Sequence, residues 1–194
     1  MRIIAGSARG IRLEPPFGND VRPTPDRVRE SLFNIIAPRL ERSTFLDLFA
    51  GTGANGIEAL SRGAMQADFI DSDPRSIALI EKNLERTRLS GQATLVRGAL
   101  PACLTRLTGP GRKQGYTLIF ADPPHAFTKF PEILEAIAGL GLLHADGLLV
   151  LEHSANVDLG KLPEGLHLIR ESRYGKTRLS FFEGTSSESG SKTS

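Results

Sequence analysis

The sequence predicts an α/β protein built on a doubly wound, mainly parallel sheet that ends in an antiparallel pair of strands. Three observations predict it. Short apolar runs alternate with helical patterns from Phe45 to Leu151. The first run lies in Thr44–Gly56, TFLDLFAGTGANG, and breaks at a glycine turn that opens a helix. Open α/β sheets bind nucleotide-like ligands at such a turn, where backbone N–H groups face the crevice beyond the strand ends. Finally, His167–Glu183 alternates about Gly175 like a hairpin.

The bulk properties fit one globular domain. The chain has 194 residues, 40% hydrophobic and 24% charged, with a net charge of +2, enough to bury a core without disulfides. No apolar run approaches the length of a membrane span and the N-terminus has no signal-like apolar region, so a cytoplasmic protein is expected. The single cysteine, Cys103, suits a reducing compartment and reads as a packing residue. Positive charge is clustered: Arg2, Arg9 and Arg12; Arg97, Arg106, Arg112 and Lys113; and Arg170, Arg173, Lys176 and Arg178 with only Glu171 among them. Converging on one face, such clusters would suit a phosphate backbone.

In chain order, residues 2–13 (RIIAGSARGIRL) read as a β-hairpin with glycines in its turn. Its arginines and small apolar bulk suit an appendage that touches RNA better than a core element. Thr24 is a good N-cap, with Pro25 at the first helical position and Val28, Leu32, Phe33, Ile35 and Ile36 as the core stripe. Pro38 ends that helix. Arg22, Thr24 and Arg27 at its start are either surface groups or the lining of the crevice. After the glycine turn, Ile57, Leu60 and Met65 carry a helical pattern. Ala67–Asp71 reads as a second strand closed by Asp71-Ser72-Asp73, and Pro74 opens a helix through Leu84. Thr94–Val96 is a third strand, followed by Gly98-Ala99 and a helix with Leu100, Leu104 and Leu107. Tyr116–Ala121 is the fourth strand, Phe130–Leu143 a helix and Leu148–Leu151 a fifth strand.

Two cofactors compete for the glycine turn. Gly51-Thr52-Gly53-Ala54-Asn55-Gly56 fits G-x-G-x-x-G, and Asp71 follows at the spacing of a dinucleotide fingerprint, so NAD fits the spacing. Asp47, four positions before the first glycine, shifts the balance. A carboxylate there repels a pyrophosphate and attracts the α-ammonium group of S-adenosylmethionine. The fourth strand then delivers Asp122-Pro123-Pro124-His125. Prolines donate no hydrogen bonds, so this tetrapeptide is an acceptor-only cluster that can hold an exocyclic amine for direct methyl transfer. The ring at position 125 can stack on a base.

Taken together, RIIAGSARGIRL, RPTPDRVRESLFN, LDLFAGTGANGIEALSRGA, the second-strand acid and DPPH resemble the bacterial RsmD-type 16S rRNA guanine-N2 methyltransferases over most of residues 2–183. That resemblance implies a Rossmann-like, seven-stranded class I methyltransferase fold, S-adenosylmethionine as cofactor and a guanine of small-subunit rRNA as acceptor. It also implies a monomer acting on 16S rRNA or a small-subunit assembly intermediate. By resemblance Asp47, Phe49, Ala50, Gly51, Thr52 and Gly53 hold the methionine part, Asp71 and Ser72 the ribose, and Gly98 and Ala99 the adenine side. Thr24 and Arg27 line the crevice. Asp122 lies beside the cofactor and, with Pro123, Pro124 and His125, holds the base; Arg2, Arg9, Arg12 and Arg22 grip RNA. The expected division is residues 1–20 as RNA-contacting hairpin and loop, 21–183 as methyltransferase domain and 184–194 as disordered tail. Two positions depart from the family pattern: His125 stands where Phe or Tyr is usual, and Gly98 where Asn or Asp is. The alternatives are a DNA adenine or cytosine amino methyltransferase, a protein glutamine methyltransferase, an NAD dehydrogenase and a catalytically silent RNA-binding assembly factor.

Overall fold

The computed structural model describes residues 1–16, 26–108 and 115–185, with backbone only at Asp26 and Arg27. Strands β1 (Thr44–Leu48), β2 (Gln66–Asp71), β3 (Ala93–Arg97), β4 (Tyr116–Ala121), β5 (Leu143–Ser154), β6 (Leu166–Tyr174) and β7 (Thr177–Gly184) form one seven-stranded sheet in the order β3-β2-β1-β4-β5-β7-β6. The first five are parallel, and β7 runs antiparallel to both its neighbours, β5 and β6. The strand order reverses between β1 and β4, so the two strands that carry the glycine turn and DPPH are neighbours at the switch point.

Alternation along β1 explains why it sits in the middle. Phe45 joins one apolar cluster with helices α1 (Asp26–Ile36), α2 (Ala54–Ser61) and α3 (Pro74–Thr87). Leu46 and Leu48 join the other, with α4 (Phe130–Gly139) and the 3₁₀ turn Ala102–Leu107. A strand covered on both faces carries apolar residues on both, as this one does. Among the described residues no helix is long and apolar enough to cross a membrane.

Several elements differ from the sequence expectation. The helix expected to reach Leu143 stops at Gly139: Gly141 takes φ +60°, and the Leu142 and Gly141 N–H groups return to the carbonyls of Ile137 and Ala138 at 3.0 Å. This capping by a left-handed glycine frees Leu143 to begin β5. The helix expected over Leu100–Leu107 is only a 3₁₀ turn, which nevertheless buries Leu104 and Leu107. Met65 lies beyond the end of α2 and is 57% exposed, so it takes no part in the core stripe. Gly184, expected to open the tail, closes β7.

The largest difference concerns the N-terminal hairpin. Its ladder shrinks to one bridge, Arg2 opposite Arg12, yet it is docked on the domain rather than standing off it. Ile3, Ala8 and Leu13 are buried in the first cluster. Glu58, fully buried on α2, accepts the Ile4 and Ala5 N–H groups at 2.8 and 3.0 Å and the Arg62 Nε at 2.7 Å. Ser61 Oγ accepts the Ala8 N–H at 2.9 Å and donates to the Ala5 carbonyl at 2.6 Å. Position 6 must be glycine, because a Cβ there would stand 1.7 Å from the Ser61 carbonyl oxygen. Side-chain anchors from α2 therefore replace the missing strand ladder.

Candidate active site

The cleft opens at the carboxyl ends of β1, β2 and β4. Phe49 leaves β1 at φ +60°, a left-handed conformation uncommon in a residue with a side chain. Gly51 and Gly53 follow at φ +56° and +76°, and Gly53 caps α2. The turn is tied down from three sides. The Gly56 N–H donates to Asp47 Oδ2 at 2.8 Å, the Gly51 N–H to Asp71 Oδ2 at 2.9 Å, and Asn83 Nδ2 to the Thr52 carbonyl at 2.9 Å. Asp71 Oδ1 also accepts the Asp73 N–H at 2.9 Å. Both predicted acids thus organise the turn itself, a role the sequence did not reveal.

Three carboxylates converge here. Burial pushes the Asp47 carboxyl well above the usual carboxylate range; the Gly56 N–H opposes that rise, and the negative charges of Asp122 and Asp71 add to it. The Asp122 N–H reaches the Leu48 carbonyl at 3.4 Å, which seats DPPH directly against the end of β1. A site that gathers negative charge in this way fits a ligand carrying a sulfonium and an ammonium group and opposes a pyrophosphate.

The acceptor turn is shaped by an aromatic that the sequence reading passed over. Phe127 folds back through its N–H to the Pro124 carbonyl at 2.8 Å. Its ring meets Phe49 edge-on at 5.0 Å and Phe130 at 5.3 Å. Phe127 is half-buried and His125 is exposed. The signal was available as an aromatic two residues after the expected one, but only the turn brings it to the cleft wall.

The other predicted residues divide clearly. Ala50 and Thr52 are buried in the turn, Ser72 is exposed at the end of β2, and Ala99 is exposed beyond β3. Gly98 is required by packing, since a Cβ there would lie 2.4 Å from that of Cys103. Arg2, Arg9 and Arg12 are exposed on the docked hairpin. Arg22 and Thr24 lie outside the described residues, as do Arg112 and Lys113, and Arg27 is placed only by its backbone at the start of α1.

An open sheet reversing at β1 and β4, with β7 antiparallel to its neighbours, is the class I, S-adenosylmethionine-binding methyltransferase fold. Within that class, the family model described as Conserved hypothetical protein 95 matches residues 1–183. The chain belongs to this family, that of the ribosomal RNA small subunit methyltransferase D proteins. YlbH of Bacillus subtilis (strain 168) is 37% identical over 183 residues, 94% of this chain and 98% of that one. Ribosomal RNA small subunit methyltransferase D of Escherichia coli (strain K12) is 34% identical over 183 residues, 94% of this chain and 89% of that one. The solved yhhF structure from Escherichia coli superposes with a TM-score of 0.82 at 34% identity, covering 95% of this chain and 98% of that one.

Proposed function

We propose that this protein transfers a methyl group from S-adenosylmethionine to the exocyclic N2 of a guanine in 16S rRNA, on naked RNA or a small-subunit particle. The observation that carries the reading is the junction of the Asp47–Asp71–Asp122 carboxylate cluster with the DPPH turn at one switch point. The family relatives named for small-subunit ribosomal RNA support the substrate class.

When bound, S-adenosylmethionine supplies an electrophilic methyl group. The turn Gly51–Gly53, held by Asp47 and Asp71, offers it a preformed backbone cradle. Asp47 balances the ammonium charge and Asp71 faces the ribose. On the acceptor side, the Asp122 carboxylate and the carbonyls of the proline turn accept the amine hydrogens. That holds the nitrogen lone pair toward the methyl; as the N–C bond forms, the sulfonium S–C bond would break, the thioether product would leave, and the amine proton would pass to the Asp122 carboxylate or to water. Phe127 and Phe49 support the turn from beneath.

The direct test is incubation with labelled S-adenosylmethionine and ribosomal particles from a strain lacking the protein, followed by nucleoside analysis. N2-methylguanosine in small-subunit RNA is the expected product. Label in adenine, in DNA or in protein would replace this reading with one of its rivals, and no label at all would favour a silent assembly factor.

A further inference from the structure

The register of the C-terminal hairpin sets two positive side chains opposite each other, with a carboxylate, Glu171, paired to one of them. Arg173 on β6 lies directly opposite Arg178 on β7, and like charges facing each other across an antiparallel pair destabilise it. Lys176, in the turn between them, is exposed. Glu171 reaches Arg178 at 3.3 Å, but the same Oε1 also accepts the Ser180 hydroxyl at 3.0 Å. Arg173 donates through Nε to the Gly175 carbonyl at 3.0 Å, which uses one of its five N–H groups.

The tip stands at the mouth of the cleft. Ala121 pairs with Leu151, and two residues further along β5 His153 pairs with Arg178. Arg178 therefore sits on the same edge of the sheet as Asp122–His125, two strand spacings away, roughly 10 Å. Both sides of the tip are fixed. The Ala155 N–H donates to the Lys176 carbonyl at 2.8 Å, and the Tyr174 hydroxyl is hydrogen-bonded to Ser31 Oγ on α1 at 2.6 Å.

We propose that this hairpin tip is an RNA-backbone contact, with Arg173, Lys176 and Arg178 meeting phosphates beside the target nucleotide. The inference rests on the reading of the cleft as an RNA methyltransferase site. A phosphate between the two guanidinium groups removes the repulsion that the register imposes on them. The N-terminal hairpin repeats the pattern beside the glycine turn, where Arg2 faces Arg12 and Met1 Sδ meets Thr52 Oγ1 at 3.8 Å. RNA entering the cleft is thus held from the β1 side and from the β5 side.

The test compares the full chain with the double variant Arg173→Gln/Arg178→Gln, using a 16S rRNA transcript, small-subunit particles and S-adenosylmethionine as probes. The slope of log affinity against log salt for the transcript is expected to fall by about 1.4–1.8, the loss of two phosphate contacts, with cofactor affinity unchanged and a melting temperature equal to or above the parent's, since the facing charges are removed. Glu171→Gln, which releases Arg178, is expected to strengthen transcript binding about two- to fivefold, the size of a surface ion pair. An unchanged slope in a double variant whose parent methylates the particles overturns the surface and leaves the proposed function standing. Normal transcript binding with loss of the particle alone marks a protein contact and overturns it equally. A parent chain that binds neither transcript nor particle overturns both readings.

Discussion

At the β1–β2 corner of the cleft the predicted carboxylates are already engaged by main-chain N–H groups, Asp47 by Gly56 and Asp71 by Gly51 and Asp73. At the β4 corner the acceptor turn runs out to an exposed histidine, braced by the edges of Phe49 and Phe127. On the proposed reading, the first corner takes the cofactor and is preorganised by backbone, as a small, constant ligand allows. The second takes the acceptor and is left more open, as a base embedded in a large RNA requires. Damage to the first corner should show in cofactor binding, and damage to the second in turnover.

The sharpest way to break this contrast is Asp122→Ala. Turnover is expected to fall by about 10²–10³-fold, the loss of one preorganised partner of the transition state, while calorimetry returns cofactor affinity close to the parent value. If cofactor binding disappears instead, Asp122 belongs to the other corner. Asp47→Asn comes next, since it preserves an acceptor for the Gly56 N–H and removes only the charge. Cofactor affinity is expected to drop about tenfold or more, the worth of a hydrogen bond to a charged group; equal affinity would remove Asp47 from ammonium binding. Phe127→Ala should lower kcat/KM on ribosomal particles by about ten- to a hundredfold, the scale of a misplaced reacting group, because the ring that packs the proline turn against Phe49 is lost. His125→Ala should cost less, since its ring is exposed, and the reverse ranking would support base stacking by His125.

The smallest effect is one of pH. Burial raises the Asp47 pKa in the free protein, and a cationic ligand lowers it. Between the two values binding releases a proton, so cofactor affinity rises with pH through that window and is flat above it. In stability the sign is opposite. With the folded pKa above the unfolded one, the contribution is fully present below the unfolded value and is lost as pH rises through the folded value. Asp47→Asn should flatten both profiles, in calorimetry and in thermal melts respectively.

What could be read without coordinates was local. Tyr116–Ala121 is a strand residue for residue, and the β6–β7 hairpin turns at Gly175 as its alternation requires. The positions of the glycine turn, Asp71 and DPPH at the ends of β1, β2 and β4 were also legible, because each is a short motif that directly closes or follows its own strand. Glu58 and Ser61, by contrast, read as the polar side of a helix, and nothing near them says that residues 4–8 will cover them. Asp68 is fully buried on β2 against the Tyr116 hydroxyl on β4, a partner 48 positions away. The amino-acid sequence by itself determined the periodicities, the turns and the residue types at the cleft, since these depend on neighbours within a few positions. Tertiary structure alone decided which polar groups are buried, which acids brace the turn and which aromatic reaches the cleft. Burial and pairing depend on chain segments that meet only when the sheet closes.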